Sequence, residues 1–85
     1  MNIPDQWELR SDALFRSFTF KNFTEAFAFM KKVAVLADEA DHHPDWSNSW
    51  NVVNISLTTH SAHSTVTDRD IALAVAINLI VELPS

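Results

Sequence analysis

The clearest alternation of hydrophobic and polar positions lies in residues 50–60, "WNVVNISLTTH", and it predicts a strand with one buried face. Side chains two residues apart share a face, so one face of this strand would pack in the core, and it carries Val53, Ile55, Leu57 and Thr59. The opposite face is polar enough to meet solvent, and it ends at His60. Two shorter strands are predicted earlier, at 7–9 and 13–20, joined by the polar residues "RSD".

An apolar repeat at helical spacing follows the second strand. Five apolar side chains recur at alternating intervals of four and three residues: Phe23, Phe27, Met30, Ala34 and Ala37. Asn22 can serve as the N-cap of this helix, with a glutamate three residues later as in a capping box. Pro44 cannot continue a helix and disfavours helical backbone in the residue before it, so the helix is predicted to end near Asp41. His42 and His43 would then stand at its exit.

A second helix is predicted over residues 68–82, and it is apolar almost all round, with Asn78 as the only polar residue of its central part. Thr67 and Asp70 have capping-box spacing at its start, and it should stop before Pro84. A helix of this kind must be buried on more than one side. Because so short a chain has too little core to cover both sides, we expect a homodimer or homotetramer.

Composition narrows the classes of function. The 85 residues suffice for a single domain, 1–85. The absence of glycine excludes phosphate-binding loops of the Rossmann and Walker kinds, and the absence of cysteine excludes disulfides and thiolate–metal sites. A net charge of −5 argues against direct binding to nucleic acid. No apolar run is long enough to cross a bilayer and "MNIPDQWELR" is not a basic and apolar leader, so the expected location is the cytoplasm, with no membrane partner.

The adjacent histidines in "ADEADHHPDW" admit three interpretations. His42 and His43 could cap the helix, with an imidazolium against the negative end of its dipole, but this leaves His60 unexplained. A metal site is the second interpretation, because Glu39 and His42 have the Glu-x-x-His spacing of di-iron carboxylate bundles. Those bundles need the motif twice and adjacent histidines rarely share an ion, so we predict no metal site.

Acid–base chemistry without a metal is the third interpretation. Histidine exchanges protons near neutral pH, so two imidazoles can act as proton donor and acceptor around one substrate. Trp46 and Trp50 lie close by in the sequence and could form a stacking wall for a flat heterocycle.

A combination of short motifs gives a resemblance to a known family. An acid is followed after three residues by His-His-Pro, then by an aromatic residue, by a strand ending Thr-His and by a later aspartate. In this chain these are Asp38, His42-His43-Pro44, Trp46 and Trp50, His60 at the end of "LTTH", and Asp70 in "TDRDIALA". The chain resembles the pterin-4a-carbinolamine dehydratase family, also called the dimerisation cofactor of a homeodomain transcription factor, over roughly residues 7–80. The resemblance implies an α+β fold, with a four-stranded antiparallel sheet and two long helices packed on one face.

The resemblance also implies an activity. A 4a-hydroxytetrahydropterin would lose water to give the quinonoid dihydropterin, in tetrahydrobiopterin recycling, with no cofactor and no metal. Catalytic roles are implied for His42, His43, His60 and Asp70. Of these, His42 and His60 are the main acid–base candidates and His43 acts mostly in binding. Substrate binding is implied for Asp38, Pro44, Trp46, Thr58 and Thr59.

The chain departs from the family pattern at two places. The turn after Thr-His reads "SAHST", without the usual glycine, and Trp50 stands where tyrosine is often found.

Two functions other than the dehydratase stay open. The first alternative is a binding module that stabilises a partner's dimer, and the second is pterin binding in another pathway. The intact His-His-Pro and Thr-His motifs favour the enzyme, because a pure binding module would have no need of them.

Overall fold

The structure is a computed structural model, and it describes residues 2 to 82 of the chain. In chain order the elements are β1 (Glu8–Arg10), β2 (Ala13–Thr19), α1 (Phe23–Ala40), β3 (Asp45–Ser49), β4 (Val52–Leu57), a short 3-10 turn (His60–Ala62) and α2 (Asp68–Glu82). The strands form one antiparallel sheet in the order β1-β2-β4-β3. This architecture confirms the predicted α+β fold. The predicted stop before Pro84 lies outside the described residues.

The two central strands, β2 and β4, supply the inner face of the sheet. Their buried side chains are Leu14, Phe18, Val53, Ile55 and Leu57. The helices cover this face with Ala26, Phe29, Val33, Leu73, Ala74 and Ile77. Thr59 is also buried, so every side chain that the alternation assigned to the inner face of 50–60 is buried.

The buried face of α1 differs from the predicted one. Asn22 caps the helix as expected, accepting a hydrogen bond from the backbone N–H of Glu25 at 2.9 Å. However, Phe23 and Phe27 are 47% and 46% exposed, and the buried side chains are Ala26, Phe29, Val33 and Ala37. Both sets have helical spacing and share Ala37, and Met30 of the predicted set packs against the core. The helix is therefore rotated about its axis from the predicted orientation. Ala26 and Val33 face the sheet, where their small side chains allow the helix to approach closely.

Strand β3 was not predicted as a separate strand. Its sequence, "DWSNS", has a single apolar side chain, that of Trp46, which is half-buried and packs against the core. The backbone pairing of β3 with β4 therefore defines this strand more than its hydrophobic pattern does.

α2 buries only part of its apolar surface. Leu73, Ala74, Ile77 and Asn78 are buried, whereas Val75 and Leu79 are 45% and 55% exposed. Within residues 2 to 82, neither helix has the length and apolar character needed to cross a lipid bilayer.

Candidate active site

The predicted site residues come from four elements that meet at one end of the sheet. The end of α1, the start of β3, the end of β4 and the first turn of α2 surround a cavity of about 420 Å³. Among the residues that line this cavity, those singled out from the sequence are His42, His43, Pro44, Thr59 and His60. Four further lining residues were missed, namely Asp41, Asp45, Ser61 and Arg69.

His42 is buried at the exit of α1, with a relative exposure of 7%. The helix ends at Asp41, whose backbone is left-handed with φ 49° and ψ 45°. The backbone N–H of His42 then donates to the carbonyl of Ala37 at 3.0 Å, which satisfies one of the last carbonyls of the helix. The backbone of His42 thus closes the helix, and its imidazole is free to make another contact.

That contact is with Asp70, in the first turn of α2. Nε2 of His42 lies 2.5 Å from Oδ1 of Asp70, 28 residues later in the chain. Asp70 is completely buried, and its other oxygen, Oδ2, accepts from the Thr59 hydroxyl at 2.8 Å and from the Thr67 backbone N–H at 2.9 Å. The Thr67 contact is the capping-box bond expected from the sequence. A carboxylate held by two donors at a helix N-terminus is well stabilised in the buried state.

The hydrogen bonds around Asp70 also assign the tautomer of His42. A carboxylate only accepts, so Nε2 of His42 carries the hydrogen and donates it to Asp70. In the neutral imidazole, Nδ1 is then an acceptor. Asp70 therefore orients His42 in the way that a carboxylate orients the histidine of a catalytic triad.

His43 points away from His42, as is expected of adjacent residues. Its imidazole is 60% exposed, and Nε2 lies 2.9 Å from Oδ1 of Asp38, whose side chain is 79% exposed. A contact this exposed contributes little to stability. The contact with Asp38 instead orients the His43 imidazole, which is the second imidazole at the cavity after that of His42.

His60 opens the 3-10 turn on the other side of the cavity. Its imidazole is 73% exposed, with Nε2 4.0 Å from Oδ2 of Asp45 and Nδ1 3.5 Å from the Ser64 hydroxyl. The loop after it has left-handed backbone at His63 and Ser64, with φ of 61° and 55°, a conformation that glycine adopts without steric cost. His63 is exposed and does not line the cavity.

Five predicted residues do not line this cavity. Asp70 and Asp38 contact it only through His42 and His43. Trp46 faces the helices, opposite Ile55 on β4. Thr58 is half-buried just beyond the end of β4. Trp50 lies in the β3–β4 turn, at the opposite end of that hairpin from the cavity, and it is 64% exposed. In the described part of the chain, the expected stacking wall of two tryptophans is therefore not formed.

Sequence signals could have identified part of what was missed. Asp41 and Asp45 flank the His-His-Pro motif, and Arg69 immediately precedes Asp70.

Within residues 2 to 82, no group of three or more histidine, aspartate or glutamate side chains is arranged to hold a metal ion.

Comparison with known proteins identifies the family. The family model described as pterin 4 alpha carbinolamine dehydratase matches residues 1–80. The chain belongs to this family. A relative from Rhizorhabdus wittichii, provisionally named a pterin-4-alpha-carbinolamine dehydratase, is 55% identical over 82 residues, which cover 94% of this chain and 82% of the relative. A relative from Prochlorococcus marinus with the same name is 50% identical over 74 residues, or 87% of this chain and 76% of the relative.

Solved structures of dehydratase-related proteins share the fold. A protein from Brucella melitensis, described as a transcriptional coactivator/pterin dehydratase, superposes with a TM-score of 0.85 at 44% identity, over 89% of this chain and 82% of its own. A pterin dehydratase-like protein, identified as a RuBisCO assembly factor in the alpha-carboxysome, gives a TM-score of 0.73 over 92% of this chain and 89% of its own. It is 22% identical, so that likeness concerns the fold alone.

Proposed function

We propose that this protein dehydrates 4a-hydroxytetrahydropterin to the quinonoid dihydropterin, within the recycling of tetrahydrobiopterin. The observation that carries the proposal is the hydrogen bond between buried His42 and buried Asp70 at the wall of a cavity that His43 and His60 also line. Burial of the Asp70 carboxylate costs desolvation free energy, although both of its oxygens have hydrogen-bond partners. Its use in orienting one imidazole toward an open cavity fits a role in proton transfer.

The reaction requires two proton movements and no change of oxidation state. The C4a–O bond breaks, the hydroxyl takes one proton and leaves as water, and a ring nitrogen of the pterin loses one proton. An acid and a base on two sides of the substrate can carry out this exchange. We propose His42 and His60 for these two roles, because they approach the cavity from different elements, α1 and the 3-10 turn. The proposal leaves open which of the two is the acid.

The remaining site residues have supporting roles in this proposal. Asp70 orients His42, and Thr59 holds Asp70. His43, oriented by Asp38, meets the substrate at the cavity edge, and Pro44 disfavours helical backbone at His43. We retain Thr58 and Trp46 as binding candidates. Thr58 would act through its backbone just beyond β4, and Trp46 would act only by packing behind the sheet, without contact with the substrate. The reaction as proposed needs no cofactor.

The test is the rate of disappearance of 4a-hydroxytetrahydropterin, corrected for its uncatalysed dehydration. We expect His42→Ala and His60→Ala each to lower the rate by at least about 100-fold while circular dichroism shows a folded protein. His63→Ala is the matched control, because His63 lies in the same loop as His60 but does not line the cavity. The control should keep the full rate. A double variant of His42 and His60 with the wild-type rate would contradict the proposal.

A second candidate function is binding that stabilises a partner's dimer. The exposed apolar side chains of α2, Val75 and Leu79, favour it, and the Brucella melitensis relative is described as a coactivator as well as a dehydratase. The two functions can be separated by assay. A catalytically silent wild type with an intact fold would favour binding, whereas turnover that depends on His42 and His60 would favour the enzyme.

A further inference from the structure

Arg69 contacts the turn that carries the two adjacent histidines. Its Nη2 donates a hydrogen bond of 2.6 Å to the backbone carbonyl of Asp41, and its side chain lines the candidate active-site cavity. We propose that Arg69 is a positioning residue, which holds the turn at Asp41 so that His42 and His43 face the substrate. The proposal builds on the dehydratase function proposed above, but it concerns the geometry of His42 and can be tested separately.

The turn at the end of α1 needs a contact of this kind. Asp41 has a left-handed backbone, which costs a residue other than glycine about 1 kcal/mol. Two backbone hydrogen bonds close the helix behind it, from the N–H groups of Asp41 and His42 to the carbonyls of Asp38 and Ala37. The carbonyl of Asp41 takes no part in these two bonds, and it accepts from Nη2 of Arg69. Arg69 satisfies this carbonyl and so favours the direction in which the chain leaves α1.

The hydrogen bond between Arg69 and Asp41 lies next to the hydrogen bond between Asp70 and His42. Directly after α1 the partners are the neighbours Asp41 and His42, and on α2 they are the neighbours Arg69 and Asp70. The bond to Asp70 holds the His42 ring itself. The bond from Arg69 holds the backbone one residue before His42, so it restricts the position from which that ring projects. This is the kind of support that acid–base geometry requires.

The chemistry of the Arg69 contact fits positioning better than charge pairing. The acceptor is a neutral carbonyl, so the contact depends on the reach of the side chain and on an N–H donor rather than on a carboxylate. The backbone N–H of Arg69 also bonds to the Thr67 hydroxyl at 3.3 Å, and that hydroxyl lies 2.6 Å from the hydroxyl of Thr59. Arg69 is therefore anchored by its backbone in the same network that holds Asp70.

Two variants of Arg69 distinguish the loss of its N–H donors from the loss of its side-chain volume. Arg69→Met removes every N–H but keeps an unbranched chain, and Arg69→Lys restores a donor on a chain that can reach the same carbonyl. We expect Arg69→Met to lower kcat at least about tenfold with less than a twofold change in KM, and Arg69→Lys to recover most of the loss. Arg10→Met is the control, because Arg10 is an exposed arginine on β1 that is paired with Glu8 and does not line the cavity.

A second measurement tests the position of the His42 ring and needs no activity assay. In ¹H–¹⁵N spectra of histidine-labelled protein, the Nε2–H of His42 should resonate far downfield because of its short bond to Asp70. We expect this signal to broaden or disappear in Arg69→Met and to remain in Arg69→Lys and Arg10→Met. A wild type without dehydratase activity but with this pattern would retain the positioning role and reject the proposed function.

Two results would overturn the positioning role. One is an unchanged His42 signal and unchanged kcat in Arg69→Met. The other is a rise in KM with kcat unchanged, which would show that Arg69 binds substrate directly. If Arg69→Met does not fold, Arg69→Gln is measured in its place by the same two readouts, because glutamine is too short to reach the carbonyl of Asp41 in the same way.

Discussion

The indole N–H of Trp7 donates a hydrogen bond of 2.8 Å to the side-chain oxygen of Asn78, across 71 residues of sequence. The same oxygen accepts from Nη1 of Arg16 at 2.5 Å, and the amide of Asn78 donates to the carbonyl of Asp5 at 3.0 Å. Burial lowers the pKa of the Arg16 guanidinium, and the charges of Glu82 and Asp5 oppose that shift. The one polar residue in the central part of α2 thus connects this helix to the start of the chain and to β2.

We predict that Asn78→Ala lowers the free energy of unfolding by about 1–3 kcal/mol, because the indole N–H of Trp7 loses its acceptor at a buried site. Urea unfolding at a fixed protein concentration measures the change. Asn54→Ala is the control, since Asn54 is half-buried on the outer face of the sheet with a single long bond, 3.4 Å, to Ser47. The control should change stability by less than about 0.5 kcal/mol. Equal losses in both variants would show that the Asn78 contacts add nothing specific.

Much of the fold could be predicted because local signals agreed with tertiary packing. The alternation in β4 and the cap at Asn22 both correspond to observed contacts. The prediction that Phe23 and Phe27 face the core was wrong, because α1 carries two apolar stripes and spacing alone does not say which one faces the sheet. β3 was missed because a strand of mostly polar residues is defined by pairing with its neighbour, which no local pattern records.

The turns of this glycine-free chain give a second prediction. Seven described residues other than glycine have positive φ, namely Gln6, Ser11, Asp12, Asp41, Trp50, His63 and Ser64. Ser11 and Asp12 form the two-residue β1–β2 turn, with φ of 44° and 63° at the two central positions, as a type I′ turn requires.

We expect Asp12→Gly to raise the free energy of unfolding by about 0.5–1 kcal/mol, because glycine adopts this backbone without the steric cost that a Cβ imposes. Ser47→Gly, in the middle of β3, is the matched control. It should lower stability, since there glycine brings greater entropy in the unfolded chain and removes the long hydrogen bond, 3.4 Å, from Asn54. Thermal melts of both variants at one concentration give the comparison. A loss of stability in Asp12→Gly would mean that the Asp12 side chain contributes more than its backbone costs.

Metal removal gives a third prediction. If histidine acid–base chemistry accounts for turnover, excess EDTA should leave the dehydration rate unchanged within about 20%, because proton transfer between an imidazole and the substrate needs no Lewis acid. Enzyme treated with EDTA and then desalted is assayed beside untreated enzyme. Loss of activity that zinc or iron restores would instead support a metal site that includes His42 or His43.

The candidate site was less predictable than the fold, for a geometric reason. The histidines and Asp70 belong to recognisable motifs, but the bond between His42 and Asp70 depends on how α1 and α2 pack. The sequence distance between Trp50 and the histidines is short, yet the β3–β4 hairpin carries Trp50 to its far end. Arg69 was missed for the opposite reason, since it is distant in sequence from Asp41 and its partner is a backbone carbonyl.

The exposed apolar surface of the helices gives the last prediction, which concerns assembly. Five side chains of this surface are at least 45% exposed: Phe23, Phe27, Val35, Val75 and Leu79. Complete burial of one such side chain contributes about 1.5–3 kcal/mol, so covering the exposed half of five amounts to several kcal/mol. The total stability of a domain this small is about 5–10 kcal/mol. We therefore expect association of like chains through the helices, with a melting temperature that rises with protein concentration.

Sedimentation equilibrium at micromolar protein measures this association directly. We expect a mass at least twice that of the 9.6 kDa chain. Leu79→Glu should shift the equilibrium toward the monomer, because burial of a carboxylate in an apolar interface is costly. Leu9→Glu is the matched control, since Leu9 is also 55% exposed but lies on β1. Dissociation by Leu79→Glu alone would assign the interface to α2, dissociation by Leu9→Glu alone would assign it to the sheet edge, and a stable wild-type monomer would contradict the prediction.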